Sequence, residues 1–167
     1  MTENELEIAV APRLRPEPDF IQLPKFRLAG LETTGSNQKG ELAALWDAFL
    51  PRMKELVPSS ETSVTFGVCD MRPGLPEGHF AYLCAVRVDE NTPLPVGMCA
   101  WEIPAQTYAV LPAYNIPDLV PLTHYFYEQW LPASERWQAA PSAMFELYPA
   151  AYPIDPTILV YFPIQSR

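Results

Sequence analysis

The spacing of apolar and polar positions changes several times along this chain, and each change marks an element. Phe26–Gly35, FRLAGLETTG, alternates apolar with other residues and then reaches a turn, which predicts a strand. After Ser36 and Asn37, either of which can cap a helix, Leu42, Leu45, Trp46, Phe49, Met53 and Leu56 recur at spacings of three and four. That stripe predicts an amphipathic helix over 39–56, with Pro51 imposing a kink or an early end near Leu50. Two further strands are expected at 63–71 and 79–88, joined by the turn RPGLPEG. Extended structure broken at Pro104 follows over 98–114, then a helix over 121–132, and strands in SAMFELYP and PTILVYFPI.

The order strand, helix, strand, strand therefore occurs twice. FLP at 49–51 mirrors WLP at 130–132, and Phe66 precedes Tyr82 by the same 16 residues that separate Phe145 from Tyr161. In that register Gly67 is the counterpart of Glu146, and Tyr82 of Tyr161. An internal duplication with a pseudo-twofold axis between the halves is expected. The expectation is one domain over 18–167 made of halves at about 18–95 and 96–167, preceded by a flexible arm at 1–17.

Composition narrows the function classes. The formal net charge of −9 disfavours unaided nucleic-acid binding, which needs clustered Lys and Arg, and mildly favours cationic partners. Cys69, Cys84 and Cys99 form no CxxC pair and read as small buried thiols in a reducing compartment, so neither a metal site nor a cofactor is expected. The N-terminus lacks the pattern of a secretion signal, and no apolar run is long enough for a membrane helix. A cytoplasmic protein without membrane contact is the expectation.

One residue stands against its surroundings. Residues 144–164 are almost wholly apolar and aromatic, yet Glu146 sits between Phe145 and Leu147. A buried carboxylate must find a partner, reach solvent or become neutral. Strand alternation puts Phe145 and Leu147 on one face and Met144, Glu146 and Tyr148 on the other. If Phe145 and Leu147 pack beneath a helix, Glu146 points into a cleft on the opposite, helix-free face, with the side-chain-less Gly67 across from it.

The chain resembles the AraC-type effector-binding domain, also called the GyrI-like small-molecule-binding domain. The likeness runs from about 20 to 164 through LAGLET, LWDAF, FGV, PVGM, IPAQTYAV, WLPAS, FELY and YFPI, in that order. It departs at PAYNIP (112–117), where relatives often carry a His and a Gly. The resemblance implies an α+β fold of duplicated strand-helix-strand-strand units. Their antiparallel, partly barrel-like sheet has two helices outside and a central ligand cleft. It further implies an aromatic pocket for lipophilic cations, with Glu146 as the key polar contact and Tyr161 on its wall. Many relatives are fused to DNA-binding helices, and this chain looks like a stand-alone binding domain with a possible separate regulatory protein partner.

Tyr82, Tyr161 and Tyr108 are candidates to face a bound cation, and Trp46, Trp101 and Tyr127 are candidate walls. Each has a plainer alternative: Trp46 in the helix core, Trp101 under a loop, Tyr127 at the surface. His79 and His124 read as structural or solvated. The leading function is non-enzymatic binding of small lipophilic cations, for sensing or sequestration. One alternative is a hydrolase of electrophilic small molecules with Glu146 as general base. Another is a protein-interaction role such as gyrase inhibition.

Overall fold

The computed structural model describes residues 17–57 and 64–167, so the expected arm lies, apart from Glu17, outside the described residues. Nine strands form one antiparallel sheet: β1 Asp19–Leu23, β2 Phe26–Gly35, β3 Thr65–Asp70, β4 Phe80–Val88, β5 Cys99–Ile103, β6 Gln106–Ala113, β7 Trp137–Ala139, β8 Met144–Tyr148 and β9 Ile158–Ser166. Two helical segments lie between them: α1, Glu41–Phe49, between β2 and β3, and α2, Leu119–Tyr125, between β6 and β7.

The strand order is β1-β6-β9-β8-β3-β4-β2-β5, with β7 paired to the side of β9. It is palindromic about the β8–β3 pair. Each unit contributes a first strand (β2, β6), a helix, a third strand (β3, β8) and a last strand (β4, β9). The strand leading into each unit crosses over: β1 pairs with β6, and β5 pairs with β2. Equivalent positions of β3 and β8 therefore meet at the centre of the sheet, where Gly67 opposes Glu146.

Local sequence accounts for the element ends. Gly40 is the N-cap of α1, and Asn37, with φ of 62°, accepts on Oδ1 from the first-turn N–H of Leu42. The helix tightens at Leu50 into a 3-10 turn over Leu50–Glu55, because Pro51 has no N–H to continue the α pattern. The second helix is less regular than its apolar stripe suggests. A 3-10 turn at Ile116–Asp118 precedes it, and a π turn over Phe126–Trp130 carries it into a final α turn, Leu131–Ala133. Pro132 accounts for the widening, since its ring clashes with the carbonyl four residues back in an α-helix. Strands β1 and β7 were not expected from sequence. Both are short and held by pairing to distant strands, with Phe20 of β1 stacked 5.7 Å from Trp137 of β7.

Alternation divides the sheet into two faces. One carries Phe26, Leu28, Phe66, Val68, Leu83, Ala85, Tyr108, Val110, Phe145 and Tyr161, and closes on itself. The ring of Phe26 on β2 lies 5.9 Å from that of Phe145 on β8, although β3 and β4 intervene, so the sheet is strongly curled. Phe145 also stacks on Tyr161 at 4.4 Å. The opposite face lies under the helices. Phe49 of α1 packs with Tyr82, Cys84 and Val86. Phe126, in the π turn, stacks on Phe162 at 4.1 Å.

This arrangement corrects one expectation. Phe145 and Leu147 do share a face opposite Glu146, but it is the self-packed face. The helices cover the face that bears Glu146. Parity along a strand tells which residues share a face and not which face a helix will cover.

Candidate functional site

Glu146 lies at the centre of β8, on the helix-covered face between the two units, paired with Gly67 on β3 and Val160 on β9. Its Oε2 accepts two hydrogen bonds, from Tyr148 Oη at 2.6 Å and from Tyr82 Oη at 3.2 Å. Tyr82 Oη in turn accepts from Trp46 Nε1 at 3.2 Å, so α1 is tied to the carboxylate through one phenol. Tyr148 reaches the carboxylate because it stands two residues along the same strand, on the same face. Tyr82 reaches it because Gly67 has no side chain. A Cβ at Gly67 would overlap Tyr82 Oη and come within 3.0 Å of Glu146 Oε2.

Among the described residues no Lys, Arg or His side chain bonds to this cluster. Part of the Glu146 surface remains accessible, yet the carboxylate is enclosed closely enough that burial dominates its protonation. Burial raises its pKa, and the hydrogen bonds from Tyr148 and Tyr82 act in the opposite direction. The neighbours stay neutral for the same reason. Burial first, and Glu146 second wherever it is ionised, push the Tyr82 and Tyr148 phenols well above their ordinary range. The Cys69 thiol is pushed up to about 12 and the Cys84 thiol upward as well, again by burial first and Glu146 second. Neither thiol is a ready nucleophile under these conditions. Among the described residues no group of three or more His, Cys, Asp or Glu could hold a metal ion.

A cleft of about 360 Å³ runs up to this cluster. Its walls include Trp46, Leu50 and Met53 from α1 and the turn after it, Ile116 ahead of α2, and Tyr148 and Tyr152 near the end of β8. Leu50 and Ile116 are about half exposed at its mouth, at 50% and 49%. Trp46 and Tyr148 meet edge to face at 5.2 Å, and both belong also to the Glu146 network. The cleft therefore reaches the outer members of the cluster, Trp46 and Tyr148, with Glu146 one hydrogen bond behind Tyr148.

The candidate residues separate by face. Trp46, Tyr82 and Glu146 come together. Tyr127, in the π turn, lies on the same side, packed edge to face with Phe162 at 5.5 Å. Its phenol is pushed up to about 12, by burial and then by Cys69. Tyr161, Tyr108 and Trp101 lie on the other face. Tyr161 and Tyr108 belong to the self-packed core, and the Tyr108 hydroxyl is buried without a hydrogen-bond partner among the described residues. Trp101 donates from Nε1 to Glu32 Oε2 at 2.8 Å, and the Arg72 guanidinium lies 4.6 Å over its ring, in a groove at the β5 edge.

The expected match of Tyr161 with Tyr82 fails for a definite reason. Phe66 pairs with Ala85, and its counterpart Phe145 pairs with Tyr161, so Ala85 is the residue equivalent to Tyr161. The first unit is three residues longer between those strands, and an odd offset turns the side chain to the other face. Tyr148 was not among the candidates, although its place two residues after Glu146 was the signal that could have found it. Tyr152, 5.1 Å from the Tyr148 ring, lies beyond the strand, where alternation gives no guide.

Comparison with known proteins gives three findings. The profile of the GyrI-like small molecule binding domain family matches residues 16–165. The transcriptional regulator BrlR of Pseudomonas aeruginosa is 30% identical over 150 residues, 87% of this chain and 54% of the regulator, so the chain spans about half of that relative. Among solved structures, SAV2435 bound to tetraphenylphosphonium superposes with a TM-score of 0.65 at 17% identity, over 90% of this chain and 94% of that one. The EcmrR C-terminal domain gives 0.64 at 10% identity, over 90% and 98%.

Proposed function

The chain belongs to the GyrI-like small molecule binding domain family, and from that premise we propose that it binds lipophilic organic cations in the cleft walled by Trp46 and Tyr148, beside Glu146. Small-molecule binding is the family's property. The cationic preference is the reading that this chain's own residues support best. The observation that carries it is a carboxylate held by two phenols, with no basic side chain bonded to it among the described residues. A ligand's charge completes the pair that the fold leaves open.

The walls suit such a ligand. Trp46, Tyr148 and Tyr152 offer aromatic faces, and cation–π attraction adds about 0.5–2 kcal/mol per desolvated contact. Apolar groups on the ligand gain about 25 cal/mol for each Å² they remove from water. A cleft of about 360 Å³ lies within the range of small-molecule sites, roughly 300–1,000 Å³. Tyr127, packed on Phe126 and Phe162 rather than in the cleft wall, is assigned a structural role with Tyr161, Tyr108 and Trp101.

Tetraphenylphosphonium, the ligand seen on SAV2435, is a suitable probe. Titration calorimetry with the wild type and with Glu146→Gln tests the reading. Binding that weakens at least tenfold in the variant supports it. Equal binding by the two proteins, or none by either, overturns it. Sensing in the service of transcription is the biological role this reading favours, by analogy with BrlR.

A further inference from the structure

Resting on the reading that this site takes cations, we propose that Glu146 is a neutral carboxylic acid in the ligand-free protein and exchanges its proton for the positive charge of the incoming ligand. The hydrogen-bond geometry motivates this. Both phenol donors converge on Oε2, from Tyr148 at 2.6 Å and from Tyr82 at 3.2 Å. No donor among the described residues reaches Oε1. That arrangement leaves Oε1 able to carry a hydrogen while Oε2 accepts, as a neutral carboxyl requires. The proton is assigned to Oε1.

The surroundings point the same way from every element packed against the group. From α1 comes Trp46, which carries no charge and donates to Tyr82. β3 brings Gly67 and Cys69, β4 brings Tyr82 and Cys84, and β9 brings Val160. β8 itself supplies Tyr148, with Tyr152 packed behind that ring. The π turn contributes Tyr127, whose phenol Cys69 helps to push up, and Asp70 acts on Cys69 from the end of β3. None of these groups is a Lys, Arg or His. The thiols and the phenols of Tyr82, Tyr148 and Tyr127 are all held in their neutral forms by burial. Glu146 is the group here whose ionised form the surroundings oppose and whose charge a cation would restore. Burial opposes its ionised form, and two phenols are not enough to offset that.

The exchange balances. The O–H bond at Oε1 breaks, its electron pair stays on the carboxylate, and the proton passes to the buffer as the cation arrives. The site is neutral before the exchange and neutral after it. Apparent affinity for a permanent cation therefore rises about tenfold per pH unit below the folded-state pKa of Glu146 and levels off above it. A neutral molecule of similar shape has no charge to exchange and shows no such slope.

Three measurements on the full chain test this. Calorimetric titration of tetraphenylphosphonium from about pH 5 to about pH 8, in two buffers of different ionisation enthalpy, counts released protons. Release is expected to approach one per ligand at the acid end and to fall towards none at the alkaline end. Triphenylphosphine oxide, the neutral probe, is expected to release none. Infrared difference spectroscopy is expected to show a carboxylic-acid band in the ligand-free wild type that is absent from Glu146→Gln and lost when the cation binds. Tyr148→Phe removes the shorter of the two hydrogen bonds and is expected to move the pH midpoint of binding upward. Tight binding without proton release or acid band would falsify the exchange while leaving cation binding intact. An acid band without cation binding overturns the exchange together with the functional reading, and identifies the latter as the step that failed.

Discussion

Gly67 and Glu146 oppose each other directly across the β3–β8 pair and occupy equivalent positions of the two units, so the pseudo-twofold axis passes between them. The asymmetry of that pair makes the site. One unit supplies a carboxylate, and the other supplies the space into which the Tyr82 phenol swings to meet it.

Gly67→Ala tests this dependence. The new methyl overlaps the hydroxyl of a ring already held by Trp46, so Tyr82 must shift and its bond to Glu146 is lost. Overpacking of this kind costs about 1–3 kcal/mol. The expected outcome is a lower denaturant midpoint and weaker tetraphenylphosphonium binding, both measured on the same preparation.

The two faces of the sheet predict opposite behaviour for two Tyr→Phe changes. Tyr82→Phe deletes a donor to Glu146 and the acceptor of Trp46 Nε1, and is expected to cost about 1–3 kcal/mol and to weaken cation binding. Tyr108→Phe deletes a buried hydroxyl that has no partner among the described residues, so it is expected to be neutral or stabilising and to leave binding unchanged. Chemical denaturation and ligand titration of the pair check both halves of the statement.

Much of this site was legible in the sequence, and the gaps have physical causes. The bounds of Phe26–Gly35, the break at Pro104 and the change of helix type at Leu50 all follow from local residue chemistry. Alternation placed Glu146 opposite Phe145 and Leu147 correctly. It could not say that the helices would cover the carboxylate's face, because that depends on how the curled sheet closes around Phe26, Phe145 and Tyr108. Equal sequence spacing matched Tyr82 with Tyr161, whereas pairing register matches Ala85 with Tyr161. Strand β1 is fixed by its ladder with β6 and by Phe20 against Trp137, contacts no local pattern encodes.

Trp46 couples α1 to the carboxylate and forms part of the cleft wall. Trp46→Phe keeps most of the aromatic wall and removes the indole donor, so a stability cost of about 0.5–1.5 kcal/mol is expected. The chain has 4 tryptophans, of which Trp46 lines the cleft. A ligand-induced change in tryptophan fluorescence is therefore expected in the wild type and largely lost in Trp46→Phe, with binding followed independently by calorimetry.

The protonation of Glu146 also predicts how the ligand-free protein responds to pH. Its folded-state pKa is raised above the unfolded value, so between the two the folded state binds more protons than the unfolded state. Stability from this group is therefore intact below the unfolded value, about 4.3, and declines as pH rises through the folded value. This is the reverse of a carboxylate in a salt bridge, which loses stability on acidification. Other carboxyls contribute their own slopes, so the informative quantity is the difference between wild type and Glu146→Gln, whose amide does not titrate. The wild type is expected to lose stability relative to the variant as pH rises above the unfolded value, about 4.3, at up to about 1.4 kcal/mol per unit while the folded-state group is still protonated. Urea denaturation of both proteins across that range reads the difference directly. A constant offset between them would mean that Glu146 has the same protonation state throughout. Saturating tetraphenylphosphonium is expected to cancel the decline, because the cation stabilises the ionised form that the fold alone disfavours.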